Sequence, residues 1–313
     1  MSFHFTHPAL GRDVLGHYEV PESIPDYENI DEYMTIRKEA FYPWRDPIDH
    51  RRLHIECAQF IARNPSSILI ERAEQEDAEA ILELALRSTA ECEVPPGLES
   101  PMELLERIIN RDGRYQPANV TPIIHQRALS LSAMLHYQPF AVRCALEEVD
   151  RLDEKHAFRS IYDANAAVEL GLCSNGVMKV ANEVLWTYAM GEEVGDDLRY
   201  CERFRHCTGD AAEVGQGIGC YQRFKHCTAL WEAHEEYMRV ATHVEKSPNR
   251  YRCASKNCGV FTMRANTLKQ CGGSCPPDVK PSYCSTTCQR EDWAQHKLLC
   301  QQREDVPHTQ RDC

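Results

Sequence analysis

Apolar residues recur along most of this chain at intervals of three and four, the spacing of helices that bury one face. Ser100-Pro101-Met102-Glu103 is a compact helix start. It supplies an N-cap serine, proline at the first helical position and glutamate in the capping-box position. Met102, Leu105, Ile108 and Ile109 then mark a buried face. Ser174 or Asn175 caps a second helix, with Val177, Met178, Ala181, Val184, Leu185 and Tyr188 apolar and Gly191 as its stop. The longest candidate covers 218–244, where Tyr221, Phe224, Cys227, Trp231, His234, Met238, Ala241 and Val244 fall near one face. Lys225, Glu232, Glu235, Glu236 and Arg239 fall mostly elsewhere. No comparable alternating strand pattern with hairpin turns is present.

The pattern predicts a mainly α chain whose body is a multi-helix bundle or a stack of helical hairpins. Residues 1–50, rich in Pro, Tyr, His and acids, read as loops with short helices packing on that body. Residues 51–246 read as an acidic all-α domain, and 301–313 as a polar tail. No 34- or 40-residue repeat has a consistent consensus.

Composition narrows the class. The 313 residues are 42% hydrophobic, enough for a sizeable core. No apolar run approaches the roughly 20 residues of a membrane span; the longest uncharged candidate, 128–142, is short and holds Ser, His and Gln. The start MSFHFTHPALGRD lacks the basic and apolar regions of a signal peptide, so the compartment reads as reducing, cytoplasm, nucleus or both, and nine of the sixteen cysteines read as mostly free thiols. Cys57, Cys92, Cys144 and Cys173 read as small buried apolar residues.

Charge is uneven. From Arg252 onward nine Lys and Arg stand against six Asp and Glu. That leaves 26 basic and 42 acidic residues of the chain's 35 and 48 in the preceding part, a balance of −16. A body this acidic predicts no nucleic-acid partner, because duplex binding rests on neutralising phosphates.

The sharpest chemistry lies in the last sixty residues. Seven cysteines and one histidine fall into four pairs: Cys253 and Cys258, Cys271 and Cys275, Cys284 and Cys288, His296 and Cys300. Eight ligands fill two tetrahedral zinc sites with no position left open for water, which points to two structural Zn2+ rather than a hydrolytic centre. Ser285 can cap a helix reaching Cys300. On it His296 and Cys300, four apart, share a face and can chelate one ion, while Cys284 and Cys288 at its beginning can grip another. A four-thiolate zinc carries −2 and a three-thiolate, one-histidine zinc −1. Arg252, Lys256, Lys269, Lys280, Arg290 and Lys297, between or beside the ligands, offset that charge.

The run Tyr283-Cys-Ser-Thr-Thr-Cys-Gln-Arg-Glu-Asp-Trp-Ala-Gln-His-Lys-Leu-Leu-Cys300 resembles the second half of a MYND-type zinc finger, placing such a module at 252–300. The first half departs from the commonest form: four and three residues separate the ligands of its two pairs where the family usually has two, and such lengthened knuckles resemble fungal members. The resemblance implies interleaving. Cys253, Cys258, Cys284 and Cys288 would hold one zinc, and Cys271, Cys275, His296 and Cys300 the other; spacing alone leaves sequential pairing open. It also implies protein–protein interaction through short proline-containing peptides, with Gln289 and Trp293 as contacts. Residues 1–245 carry no such resemblance.

The expected role is therefore a non-catalytic adaptor or regulator. A SET-type lysine methyltransferase is disfavoured. Gly191-Glu-Glu-Val194 echoes that domain only faintly, the Asn-His cofactor motif is absent, and the finger follows the body instead of interrupting it. An accessory subunit of a ubiquitin ligase is the other alternative. No Gly-rich phosphate loop, nucleophile elbow or His-Glu-x-x-His occurs, and His54, His125, His136 and His156 have no ligand-spaced partners. A short echo, Arg203–Thr208 with Arg223–Thr228, allows a third metal site from Cys201, His206, Cys207, Cys220, His226 and Cys227. Adjacent His-Cys on a helix diverge by about 100°, which favours a duplication anchored by Phe204 and Phe224.

Overall fold

The computed structural model describes residues 25–110, 117, 119–146, 151–182, 226–256, 258–277 and 279–301. The chain is mainly α. The described residues form ten α-helices: α1 (Ile30–Phe41), α2 (His50–Arg63), α3 (Ser66–Glu74), α4 (Ala78–Ala90), α5 (Pro101–Ile109), α6 (Pro122–Leu146), α7 (Arg151–Glu169), α8 (Asn175–Val180), α9 (Thr228–Lys246) and α10 (Thr286–Gln301). Two two-residue strands, β1 (Lys269–Gln270) and β2 (Ser282–Tyr283), pair antiparallel. The chain divides into two compact units. One is Pro25–Trp44 with Cys57–Tyr237; the described parts of the other lie within Arg45–Glu56 and Met238–Cys313.

In the first unit each helix from α3 to α7 packs on its successor, and α1 crosses α4, α6 and α8. Local signals set the helix ends. Ser100 and Glu103 complete a capping box at α5, and the Asp77 carboxylate caps α4. Ser174 caps α8 by accepting from the Val177 amide at 3.1 Å. The α5 face is shifted from the expected one. Leu104 is buried with Leu105, Ile108 and Ile109, while Met102 is half-buried near the exposed cap. α6 and α7 run antiparallel, since Ser132 meets Asp163 at 2.7 Å while His136 meets His156 at 2.9 Å. Gly176 lets α8 approach α6: a Cβ there would stand 2.3 Å from Met134 Sδ.

α9 begins at Thr228, and the expected 218–225 portion lies outside the described residues, as do Val184, Leu185, Tyr188 and Gly191. Its buried seam is Cys227, Leu230, His234, Tyr237, Ala241 and Val244. This alternation of three and four corrects the expected face. Trp231 flanks the seam and Met238 is exposed: steps of three and four are both helical, and the packing places them so that Leu230 and Tyr237 are buried instead.

α4 is buried over most of its length and carries an ionic network into the core. Glu83 accepts from Tyr33 Oη at 2.7 Å, from Arg87 Nε at 2.9 Å and from Arg37 at 3.3 Å. Arg87 is 0% exposed, and its two terminal nitrogens have no hydrogen-bond partner among the described residues. Burial, then the Glu83 charge, raises the Tyr33 hydroxyl well above its ordinary range, so it stays a donor. Glu83 is the shared acceptor of two arginines. Glu83→Ala strands both and should cost about 3–5 kcal/mol, read as a lowered urea midpoint by circular dichroism.

Candidate metal centre

The second unit has a small core: Cys253, Val260, Leu268, Cys271, Cys275 and Tyr283. Four of those six side chains carry no more than a thiol or a branched three-carbon group, too little apolar area to hold the segment alone. Backbone pairing supplies the register. The Cys253 amide donates to Val260 and the Thr262 amide to Tyr251, each at 2.9 Å, closing the first knuckle. Cys253 also bridges in parallel to Ser282, the first residue of β2, and the Cys271 amide donates to Pro281 at 3.0 Å. Ladder and bridge thus bring the first two ligand pairs beside the entry to α10. The 45–49 segment adds to this sheet-like edge: Ile48 pairs with Phe261, and Asp46 binds Arg264 at 2.8 Å.

α10 delivers the other two pairs. Ser285 caps it, accepting from the Cys288 amide at 3.1 Å. The helix is fixed by Tyr283, whose hydroxyl donates to Asp292 at 2.7 Å, and by Ser255, which donates to Glu291 at 3.0 Å. Cys284 and Cys288 stand at its start; His296 and Cys300 share a face one turn apart.

Two clusters result, each with all its ligand atoms within 4.8 Å of one another: Cys253, Cys258, Cys284 and Cys288, and Cys271, Cys275, His296 and Cys300. The pairing is interleaved, with Cys253 and Cys271 in different clusters. In the first, Cys284 Sγ lies 3.5 Å from both Cys258 and Cys288. In the second, Cys300 Sγ lies 4.0 Å from Cys271 and 3.5 Å from Cys275. His296 Nε2 lies 3.2 Å from Cys271 and 3.3 Å from Cys275. A tetrahedral zinc with Zn–S near 2.3 Å and Zn–N near 2.0 Å requires ligand edges of about 3.6–3.8 Å. Donor types and spacing therefore fit two structural zinc ions.

Gly273 serves the second cluster directly. Its amide donates to Cys271 Sγ at 3.4 Å, and a Cβ there would lie 2.4 Å from Cys300 Sγ. Without metal, the crowded thiols resist joint ionisation. Cys253 is held down at about 5 by the hydrogen bond from Cys258, and that same bond raises Cys258. Burial pushes Cys284 up to about 11. Burial, then bonding with Cys300 and Cys271, pushes Cys275 up to about 12.

The family model described as the MYND finger matches residues 253–300. Residues 253–300 form a MYND finger. No curated protein and no solved structure matches the chain. A MYND finger is a zinc-binding protein–protein interaction module. In this one the lengthened first knuckles are accommodated by the turn at Cys258, whose amide donates to Ser255, and by Gly273 between the third and fourth ligands.

The two predicted contact residues lie on α10. Gln289 is half-buried. Trp293 is 43% exposed, its ring packed edge-on against His296 at 6.0 Å between centroids. Among basic residues near the ligands, Lys280 donates to the Gly273 carbonyl at 3.2 Å. Elsewhere, Cys57 and Cys92 are buried and Cys173 is half-buried, whereas the side chain of Cys144 lies outside the described residues. So do Cys201, Phe204, His206, Cys207, Cys220 and Phe224 of the local echo; His226 is exposed and Cys227 buried. His136 and His156, which showed no partner in sequence, meet across α6 and α7. Among the described residues no third ligand joins them, and no further metal-binding group occurs. No described helix is long and apolar enough to cross a membrane.

Crowding at Gly273 makes the second cluster separable from the first. Gly273→Ala displaces Cys300 and should lower bound zinc from two per chain toward one, measured by native mass spectrometry with the four-cysteine cluster still loaded. Zinc binding must also expel protons from the raised thiols, so affinity should rise with pH and fall as pH drops. Chelator competition at pH 6 and pH 8 reads that difference, and equal affinities would contradict it.

Proposed function

We propose that the finger docks short proline-containing peptides of other proteins, and that the chain acts as a non-enzymatic intracellular adaptor or regulator. The observation that carries this reading is Trp293. A large aromatic left open to solvent on a helix fixed by two metal clusters offers apolar area at little entropic cost. Gln289, one turn earlier on α10, supplies an amide beside it. The exposed strand β1 adds backbone groups at the same module. The closed ligand sets favour a structural over a catalytic use of the metals.

Affinity purification of the full chain beside Trp293→Ala and Gln289→Ala tests the reading. Partners carrying proline-containing segments should be recovered with the wild type and lost with Trp293→Ala. Their synthetic peptides should bind the variant at least about thirty-fold more weakly, the loss typical of an interface aromatic. Both variants should keep two zincs. An unchanged partner set with zinc intact would sink the proposal.

A further inference from the structure

The other edge of α10 borders a cleft of 270 Å³. Its apolar side is Val279, Pro281 and Leu299; Val279 is 44% and Leu299 48% exposed. Arg252 and Gln295 supply its polar side. At 100° per residue, Gln295 and Leu299 project roughly 120–160° around the helix from Trp293. The cleft is therefore a separate surface from the one bearing Trp293, and it stands independently of the docking proposed there.

Arg252 gives the cleft its chemistry. It is exposed, and its guanidinium makes no hydrogen bond or ion pair with a described residue. Its backbone is held between Tyr251 and Cys253, both tied by hydrogen bonds to 260–262, so the cation is presented from a rigid edge. Lys280, another cation beside the metal ligands, is turned to the Gly273 carbonyl. Asp292, a carboxylate among the described lining, accepts the Tyr283 hydroxyl at 2.7 Å and stands on the opposite chain segment, α10, from Arg252. A planar fork of unused donors beside an apolar wall is complementary to a carboxylate next to an aliphatic side chain. The volume falls just below the roughly 300 Å³ at which small-molecule pockets begin, which suits one inserted side chain better than a cofactor.

We propose that this cleft is a second docking surface of the finger, for a short acidic peptide. An aliphatic side chain of the peptide enters between Val279, Pro281 and Leu299, and a neighbouring carboxylate pairs with Arg252. With Trp293 on the opposite edge, one finger then grips two segments at once.

Display of random peptides against the full zinc-loaded chain tests it. Selection should yield one class with a carboxylate adjacent to Leu, Ile or Val. A fluorescein-labelled member of that class should lose about tenfold or more in affinity to Arg252→Glu and to Leu299→Asp, yet stay within about twofold for Trp293→Ala. Arg252 adjoins Cys253 and Leu299 adjoins Cys300, so native mass spectrometry showing two bound zincs in each variant separates loss of the cleft from loss of a cluster. The proposal fails when no acidic–aliphatic class is selected, or when that class is insensitive to Leu299→Asp. It fails also when every selected peptide is lost with Trp293→Ala, a result that leaves the Trp293 surface standing.

Discussion

A tetrahedral ion accepts four donors at fixed edges, and the finger meets that demand twice with pairs drawn from alternate places in the chain. Because Cys253 and Cys258 close on Cys284 and Cys288, and Cys271 and Cys275 on His296 and Cys300, neither cluster can form without α10. Neither half of the module is a fold by itself. The few apolar contacts, centred on Tyr283 and Val260, position the ligands; the metals supply the cohesion. Gly273 shows how tightly the backbone is drawn in, since even a methyl group has no room beside Cys300.

The helical unit meets its own constraint differently. There α4 brings a carboxylate and Arg87 into the core against Tyr33 and Arg37 of α1, and cohesion depends on Glu83 serving both cations and Tyr33. Hydrophobic burial does most of the work along α4, α5 and α6, while the ionic network fixes which helices meet: Tyr33 and Arg37 lie on α1, Glu83 and Arg87 on α4. Removing one partner from such a set costs more than the set contributes, because an unpaired charge remains.

Legibility followed the range of the interaction. Ligand pairs, the Ser100 capping box and the Ser174 cap are encoded within a few residues, and the chain displays them openly. Interleaving was carried only by family resemblance, since spacing is equally compatible with sequential pairing; it is the Cys253–Ser282 bridge and the β1–β2 register that decide it. The seam of α9 was misread by one position at Trp231 and Met238, because a step of three and a step of four are both helical, and only the packing partner selects between them. The Glu83 network and the His136–His156 meeting join residues 20 to 50 apart with no local signature. Exposure was equally hidden: Trp293 is as consistent in sequence with packing inside the finger as with a docking edge.

The exposure of Trp293 shapes how the module can work. α10 spends its inward face on three metal ligands, Cys288, His296 and Cys300, and on contacts with Tyr283 and the knuckles, which leaves two lateral edges open to solvent. One bears Trp293 and Gln289; the other joins Leu299 and Gln295 to Arg252 and Val279 across the cleft. Both edges are rigid because metal clusters fix the helix that carries them, so a peptide bound at either loses little to reorganisation of the finger. Their chemistries differ, one aromatic and amide, the other cationic and aliphatic, so a single segment suited to one is poorly suited to the other. On the docking proposed for the two edges, a partner carrying both segments on a short tether would bind its second segment at high effective concentration. Such an arrangement would discriminate among proline-containing peptides that the aromatic edge alone cannot tell apart.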